Sequence, residues 1–425
     1  MSTKSLKQDV LNGKYSEIFA KLYGDNAKNA PERYCGLIDG FEEFFGDTDE
    51  NLRLFSAPGR TEIGGNHTDH QRGNVLAASV DLDVIACCAK NNSNQIRIKS
   101  QGFECDVINL DDLSVVDTEK NTSAALIRGI AAKFVQMGCV IRGFDAYTTS
   151  NVLKGSGLSS SAAFEVLVGT IINAMFFENK LTMPEIAQIG QYSENVYFGK
   201  PCGLMDQTAC AVGGLVAIDF FDEKSPKIHQ MQVDLNYLGY ALCIIDSGAD
   251  HVDLTDDYAD ITKEMKSVAQ FFGKQVLSEC EKDKLFANAA DIRKQCGDRA
   301  FLRAAHFFAD NERVKQQIEI IENGAFDDFL VKVSESGRSS FMYLQNVYSP
   351  KYPQNQAVAF VLSLCQDYLK DSGAYRVHGG GFAGTVQAFV PLDLLHEFEN
   401  IMENALGAGM CHVLNIRSIG GTELL

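Results

Sequence analysis

Two acids twelve positions apart, Glu194 and Asp206, bracket the turn Gly199-Lys200-Pro201-Cys202-Gly203-Leu204-Met205. A proline and glycines in that turn would hold Asp206 rigidly, so one acid can hold a divalent cation while the other faces a nucleophile. Either acid alone would serve equally well on a surface or as a helix cap. Residues 58–73 crowd Arg60, Thr61, Glu62, Asn66, His67, Asp69, His70 and Arg72 beside an apolar run. Arg60 stays protonated at any working pH and can stabilise a developing anion. His67 and Asp69 can hydrogen-bond vicinal hydroxyls. His67, Asp69 and His70 are also metal-ligand types, but their spacing is not that of a zinc helix and no second cluster completes a site. A structural turn capped by Asp and Asn is the plainer alternative.

The segment Gly155-Ser156-Gly157-Leu158-Ser159-Ser160-Ser161-Ala162-Ala163 leads into an apolar helical pattern. Two glycines allow close backbone approach to an anion. Three hydroxyls fall where the helix begins, and the unpaired N–H groups of that first turn suit phosphate oxygens. It is not a Walker A loop, since no GK[ST] follows, nor a dinucleotide fingerprint, since the third glycine is missing. A Ser-capped helix after a Gly turn is the bland alternative. A second turn, Gly379-Gly380-Gly381-Phe382-Ala383-Gly384, lies far down the chain between apolar strands. By itself it is a tight turn, and it is placed to close over the phosphate cradle from the second half of the chain.

The elements that must position these groups are mixed. Residues 5–46 read as helical, residues 55–73 as irregular and polar, and residues 75–89 as buried strand. Short strands are expected at 95–100, 104–110, 145–150 and 214–221, with helices at 124–140, 160–177 and 183–197. The second half opens on a strand at 241–246. Helices follow around 258–280, 284–295, 298–308, 311–323, 326–344 and 355–370, then a helix near 392–406 and a strand at 412–417. The pattern breaks at Asp222-Glu223-Lys224-Ser225-Pro226-Lys227, which suggests an N-terminal α/β domain over 1–225, with 1–50 a helical extension, and a second domain over 226–425.

A chain of 425 residues favours two domains. Its formal charge of −18 and the lack of a basic run argue against nucleic acid as a partner, and any phosphate site must be built locally. The 12 cysteines are scattered through apolar segments without a CxxC pair, as expected of buried thiols in a reducing cytoplasm. The N-terminus lacks the apolar core of a signal peptide, and no apolar run reaches the ~20 residues needed to span a bilayer, so no membrane association is expected.

Together and in this order, the four segments resemble the GHMP small-molecule kinases, and within them the galactokinases, over most of the chain. Residues 58–73 resemble the galactokinase signature loop, residues 155–163 the phosphate loop, residues 199–207 the segment with the catalytic Asp, and residues 379–384 the third motif. Residues 304–338, with His306, Glu312 and Arg338, are similar to the helical region of the galactokinase second domain. The resemblance implies an α+β, two-domain architecture: an α/β N-terminal domain against a ferredoxin-like C-terminal domain with added helices, and an active site in the cleft between them.

It also implies roles. Asp206 would be the catalytic carboxylate and Arg60 its partner at the attacking hydroxyl. Asn66, His67, Asp69 and Tyr258 would contact the monosaccharide. Gly155, Ser156, Gly157, Leu158, Ser159, Ser160 and Ser161 would wrap the phosphates of ATP, with Mg²⁺ on Ser161 and Glu194. The implied reaction is ATP-dependent phosphorylation of galactose at its anomeric hydroxyl.

Three positions depart from the pattern. Asn66 stands where the family has Glu, His70 where it has Tyr, and Asp260-Ile261 where an arginine pair follows the tyrosine. Loss of the Glu would remove a negative charge near the sixth carbon of the sugar and so favour a uronic acid, which makes another sugar 1-kinase, galacturonate first, the alternative. A sugar-sensing regulator without catalysis is the alternative of another class. The phosphate loops of such sensors carry an insertion, whereas residues 155–163 run uninterrupted.

Overall fold

The computed structural model describes residues 2–48, 51–153, 157–200, 202–222, 225–249 and 254–425. The chain opens with helices α1 (Thr3–Leu11), α2 (Ser16–Tyr23) and α3 (Ala30–Phe45). Proline in the first turn of α3 costs no hydrogen bond there, and Gly46, at φ +84°, ends the helix. Their apolar faces, including Leu6, Phe19, Tyr34, Ile38 and Phe41, pack on Leu54, Ile85, Cys87 and Ala89 of a sheet. The N-terminal extension is therefore the cover of one sheet face.

That sheet is built from β1 (Arg53–Gly64), β2 (Asn74–Lys90), β3 (Gln95–Ser100), β4 (Cys105–Asn109), β5 (Phe144–Ser150), β6 (Leu215–Asp219) and β7 (Lys227–Met231). β2 is a single long strand that pairs with β5 through one half and β6 through the other. β3 and β5 run parallel, and the other neighbours run antiparallel. Helices α4 (Ser123–Gln136), α5 (Ser160–Phe176), α6 (Met183–Ser193) and α7 (Met205–Val212) fill the face opposite the extension, around Ile130, Phe134, Val166, Ile171 and Ala211. α5 is apolar on almost every side because it is buried on almost every side.

After β8 (Tyr240–Asp246) come helices α8 (Thr255–Phe271), α9 (Lys282–Ala287), α10 (Ala289–Cys296), α11 (Asp298–Glu322) and α12 (Phe326–Ser339). The two helices expected at 298–308 and 311–323 are one: Asp310 and Asn311 accept from the Asn66 and Asn74 amides and do not interrupt the helix. Then follow α13 (Ala357–Leu369), β9 (Ala374–Val377), β10 (Thr385–Pro391), α14 (Leu395–Leu406), β11 (Cys411–Leu414) and β12 (Thr422–Glu423). The second sheet has the order β11-β8-β10-β9, antiparallel throughout, with α13 and α14 on one face. This is the ferredoxin-like arrangement. Its other face packs Leu242, Ile244 and Phe389 against α12 and the core of the first half.

The expected boundary at 225/226 falls inside the β6–β7 hairpin of the large sheet. That sheet also recovers the chain's end, where β12 pairs with β1 and Ile416 bridges to Val80. The two halves are thus tied by strand pairing as well as by packing.

Candidate active site

Residues 53–64 are a strand, not the irregular segment their polarity suggested. β1 runs beneath the phosphate loop: the Arg60 amide donates to the Leu158 carbonyl at 3.0 Å, and the Arg60 guanidinium donates to the Gly157 carbonyl. The same guanidinium grips Asp206 with two parallel bonds, Nε to Oδ1 at 2.7 Å and Nη2 to Oδ2 at 2.5 Å. This fork-to-fork geometry is the strong form of an arginine–carboxylate pair. Burial works against the guanidinium charge, but Asp206 more than offsets it and raises the Arg60 pKa. Asp206 sits in the first turn of α7, where helix amides favour a negative charge.

A third partner joins Asp206. The Ser159 hydroxyl donates to Oδ2 at 2.7 Å. Ser159 is the N-cap of α5, yet its hydroxyl makes no capping bond, and its φ of +55° is unusual for a residue with a side chain. The cap is thus turned onto the acid, which leaves the amides at the head of α5 without a side-chain acceptor. Ser160 is half-buried and Ser161 exposed at that helix end. Leu158, expected at the phosphates, buries its side chain fully and offers only backbone. Gly155 and Ser156 lie outside the described residues. Beside the helix head opens a cleft of about 410 Å³, lined by Val84, Phe103, Leu126, Thr148, Ser161 and Phe164 among others.

Glu194 closes α6 in a short π-helical turn, Glu194–Phe198, and is buried. The Gln207 amide nitrogen donates to Glu194 at 2.9 Å and to Glu165 at 3.0 Å. Glu165 lies one helical turn beyond Ser161, and its buried Oε1 has no partner among the described residues. Burial first, and the Glu194 charge second, push the Glu165 pKa well up. Sequence reasoning missed Glu165 and Gln207. The available signal was a lone acid inside an otherwise apolar helix.

The loop after β1 is pinned from the second half. Asn66 N–H donates to Asp310 at 2.8 Å, and its carbonyl lies 3.0 Å from His306 Nε2, both from α11. The carbonyls of the second glycine turn hold three of the expected residues. Asn66 Nδ2 donates to Gly379 O at 2.6 Å, His67 Nε2 lies 2.9 Å from Gly380 O, and the Tyr258 hydroxyl donates to Gly381 O at 2.8 Å. Just before that turn, His378 bridges Thr61 and Thr385 at 2.9 and 2.8 Å. A Cβ on Gly157 would stand 3.1 Å from this imidazole, so His378 lies between the phosphate loop and residues 58–73. Asp69 faces the turn before Asp206: a Cβ on Gly203 would meet its Oδ2 at 2.7 Å, closer than carbon and oxygen tolerate. Arg60, Asp206 and Ser159 are therefore in direct contact, with Asp69 against their loop and Asn66, His67 and Tyr258 gathered by one turn. Among the described residues no group of three or more His, Cys, Asp and Glu is arranged to hold a metal. No helix is long and apolar enough to cross a membrane.

Comparison with known proteins supplies the relatives of this arrangement. Residues 125–214 match the model of the GHMP kinases N-terminal domain, and residues 39–90 match the galactokinase galactose-binding signature. A galactokinase of Glaesserella parasuis is 29% identical over 359 residues, 83% of this chain and 88% of the relative. One of Actinobacillus pleuropneumoniae is 28% identical over 351 residues, 81% of this chain and 87% of the relative. Among solved structures, Lactococcus lactis galactokinase complexed with galactose superposes with a TM-score of 0.78 at 24% identity, covering 92% of this chain and all of that one. Methanococcus jannaschii mevalonate kinase gives 0.60 at 13% identity, covering 88% of this chain and all of that one.

Proposed function

The chain belongs to the GHMP kinases and among them to the galactokinases, and on that premise we propose that it transfers the γ-phosphoryl group of ATP to the anomeric hydroxyl of galactose, giving galactose 1-phosphate and ADP. The observation that carries this reading is the three-way contact of Asp206 with Arg60 and Ser159 at the uncapped head of α5. It sets an acid for the acceptor hydroxyl beside amides for the phosphates.

Phosphoryl transfer asks the protein for alignment and charge stabilisation more than for covalent chemistry. In this reading the α5 amides and the Ser160 and Ser161 hydroxyls hold the β- and γ-phosphates, and the adjoining cleft takes the adenine between Phe103, Leu126 and Phe164. His67, Asp69 and Tyr258 orient the sugar. Asp206 accepts or orients the proton on O1, and Arg60 stabilises the oxyanion as it forms. An anomeric hydroxyl is more acidic than an ordinary alcohol, so an acid neutralised by an arginine suffices as base.

Ser161 and Glu194 would hold Mg²⁺. Their hard oxygens suit it, and the unpartnered buried Oε1 of Glu165 leaves an acceptor within the same cluster. When bound, the ion neutralises charge on the β- and γ-phosphates. The twelve free cysteines and the ATP requirement suit a cytoplasmic setting.

A coupled ADP-release assay over a panel of hexoses and uronic acids tests the reading. Galactose should give the highest kcat/KM, with stoichiometric loss of the reducing end that mild acid reverses. Turnover of other sugars with none on galactose would reject it.

A further inference from the structure

Asn66 has no hydrogen-bonding position left for a ligand. Its Nδ2 gives one proton to Gly379 O at 2.6 Å and the other to Glu62 Oε1 at 2.8 Å. Its Oδ1 accepts from Ser340 at 3.2 Å and from Asn346 at 2.8 Å. An amide side chain offers two donors and two lone pairs, so the set is complete. The residue is 0% exposed, and its backbone is pinned on both sides by α11. Asn66 is a brace.

What it braces is an acid. β1 pairs regularly with β2 through Arg60↔Ser79, Thr61↔Ala78 and Glu62↔Ala77, and its irregularities fall before Arg60 and after Glu62. Alternation along a regular strand therefore puts Arg60 and Glu62 on the same face, roughly 7 Å apart along β1. That face is the one on which Arg60 meets Asp206. The Glu62 carboxylate is held through one oxygen only: Oε1 accepts from Asn66 and from Arg376 Nη2 at 2.7 Å. Arg376 is itself 0% exposed and donates also to the Ile63 and Val377 carbonyls, so it is locked behind the acid. Glu62 Oε2 accepts no hydrogen bond among the described residues and is not among their sealed, unpartnered atoms. The titratable neighbours of the carboxylate on the loop side are His67 and Asp69.

We propose that Glu62, held by Asn66 and Arg376, is a sugar-contacting residue: its Oε2 accepts a hydroxyl of the substrate at the end away from Asp206 and discriminates against a uronate carboxylate at the same place. The inference rests on the galactokinase reading and deepens it. The negative charge that the sequence reading took to be lost at position 66 is supplied from position 62. A carboxylate is an acceptor only, so it welcomes a hydroxyl donor and meets a second carboxylate with repulsion and no shared proton. Asn66 and Arg376 are positioning residues, since neither offers the ligand an atom.

The test compares wild type with Glu62→Gln on galactose and galacturonate, with galactose-induced thermal shift as a binding readout. The expected result is a galactose KM raised tenfold or more, kcat within about threefold, and a galactose-to-galacturonate ratio of kcat/KM lowered at least tenfold, as loss of a bond to a charged acceptor implies. A folded Glu62→Gln enzyme with unchanged galactose KM and unchanged ratio overturns the inference while leaving the galactokinase reading intact. Wild type active on galacturonate but not on galactose overturns both. Should Glu62→Gln fail to fold, Glu62→Asp keeps the charge but draws it back by one methylene. A raised galactose KM with the ratio kept supports the assignment, and an unchanged KM rejects it.

Discussion

Two of the protein's arginine–aspartate pairs look alike on paper and differ in what they leave over. Asp83 is 0% exposed, with both oxygens hydrogen-bonded and neither open to solvent. Oδ1 accepts from Arg33 at 2.5 Å, and Oδ2 accepts from Ser56, Tyr23 and Arg417 at 2.5, 2.7 and 3.0 Å. Burial works to raise its pKa, but Arg33 and Arg417 overcome it and hold the carboxyl below its usual range. Asp206 has the better arginine geometry, yet its side chain keeps 31% of its surface open. One acid is consumed by the fold and joins the extension, β1, β2 and the chain's end. The other keeps an open edge toward the acceptor. An ion pair is read as structural or chemical by its unsatisfied remainder, not by its strength.

The comparison is broken most decisively at its open member. Asp206→Asn should lower kcat by about 10³-fold or more, since general-base catalysis alone contributes 10²–10⁴ and Arg60 would also lose its counter-charge. The melting temperature should move by no more than a few degrees, and ATP-analogue binding should persist. Single-turnover kinetics beside a thermal melt measure both, and a variant keeping a tenth of wild-type kcat would remove Asp206 from the centre of the reaction.

Asp83→Ala should do the reverse. It strands the buried Arg417 guanidinium, and breaking such a pair costs about 3–5 kcal/mol. Urea unfolding should show that loss, while the enzyme that remains folded keeps a kcat within about twofold of wild type. Arg33→Met is the milder form. The Arg33 side chain is 25% exposed, and its removal leaves Asp83 with Arg417 and two hydroxyls, so about 1–2 kcal/mol is expected. Because Asn151 exchanges backbone and side-chain bonds with Asp83 just ahead of the phosphate loop, a modest rise in the KM for ATP should accompany it. A loss in kcat instead would blur the distinction between the two acids.

These contrasts mark what could be read from the sequence. The phosphate loop, the Asp206 turn and the glycine turn were legible because glycine, serine and proline act through local backbone geometry, which short spacing encodes. Most element boundaries followed for the same reason. β1 was not legible, because the strand that floors the cleft carries Arg60 and Glu62 where a core strand would carry apolar residues, and that erases the alternation on which strand reading depends. Residues 298–323 were split for a kindred reason, since Asp310 and Asn311 serve the loop and not the helix. The roles of Asn66 and Glu62 were out of reach because their partners Asn346 and Arg376 are 280 and 314 positions away. Type and spacing reveal which residues can do chemistry, but only the fold reveals which of their atoms are already taken.

The smallest effect concerns a group that neither pair uses. His70, half-buried beside Asp69, has Nε2 sealed without a partner among the described residues and Nδ1 3.1 Å from the Gln71 amide. Burial pushes its pKa down to about 4, with Asp69 pulling the other way and His67 and Lys266 adding to the fall. The folded value lies below the unfolded value of about 6.5, so the unfolded chain takes the proton first. Stability from this group is therefore complete above about pH 6.5 and declines as pH falls toward 4. His70→Gln should leave stability at pH 7.5 little changed and remove about 1 kcal/mol of the wild-type decline by pH 5.5. His306, also lowered by burial, supplies a decline that both proteins share. Urea midpoints measured from pH 7.5 to 5 should start together and diverge toward the acid side, the wild type falling below His70→Gln. Parallel curves would mean that His70 binds its proton equally well folded and unfolded, and that the loop beside Asp69 is open to water where the other buried charges are not.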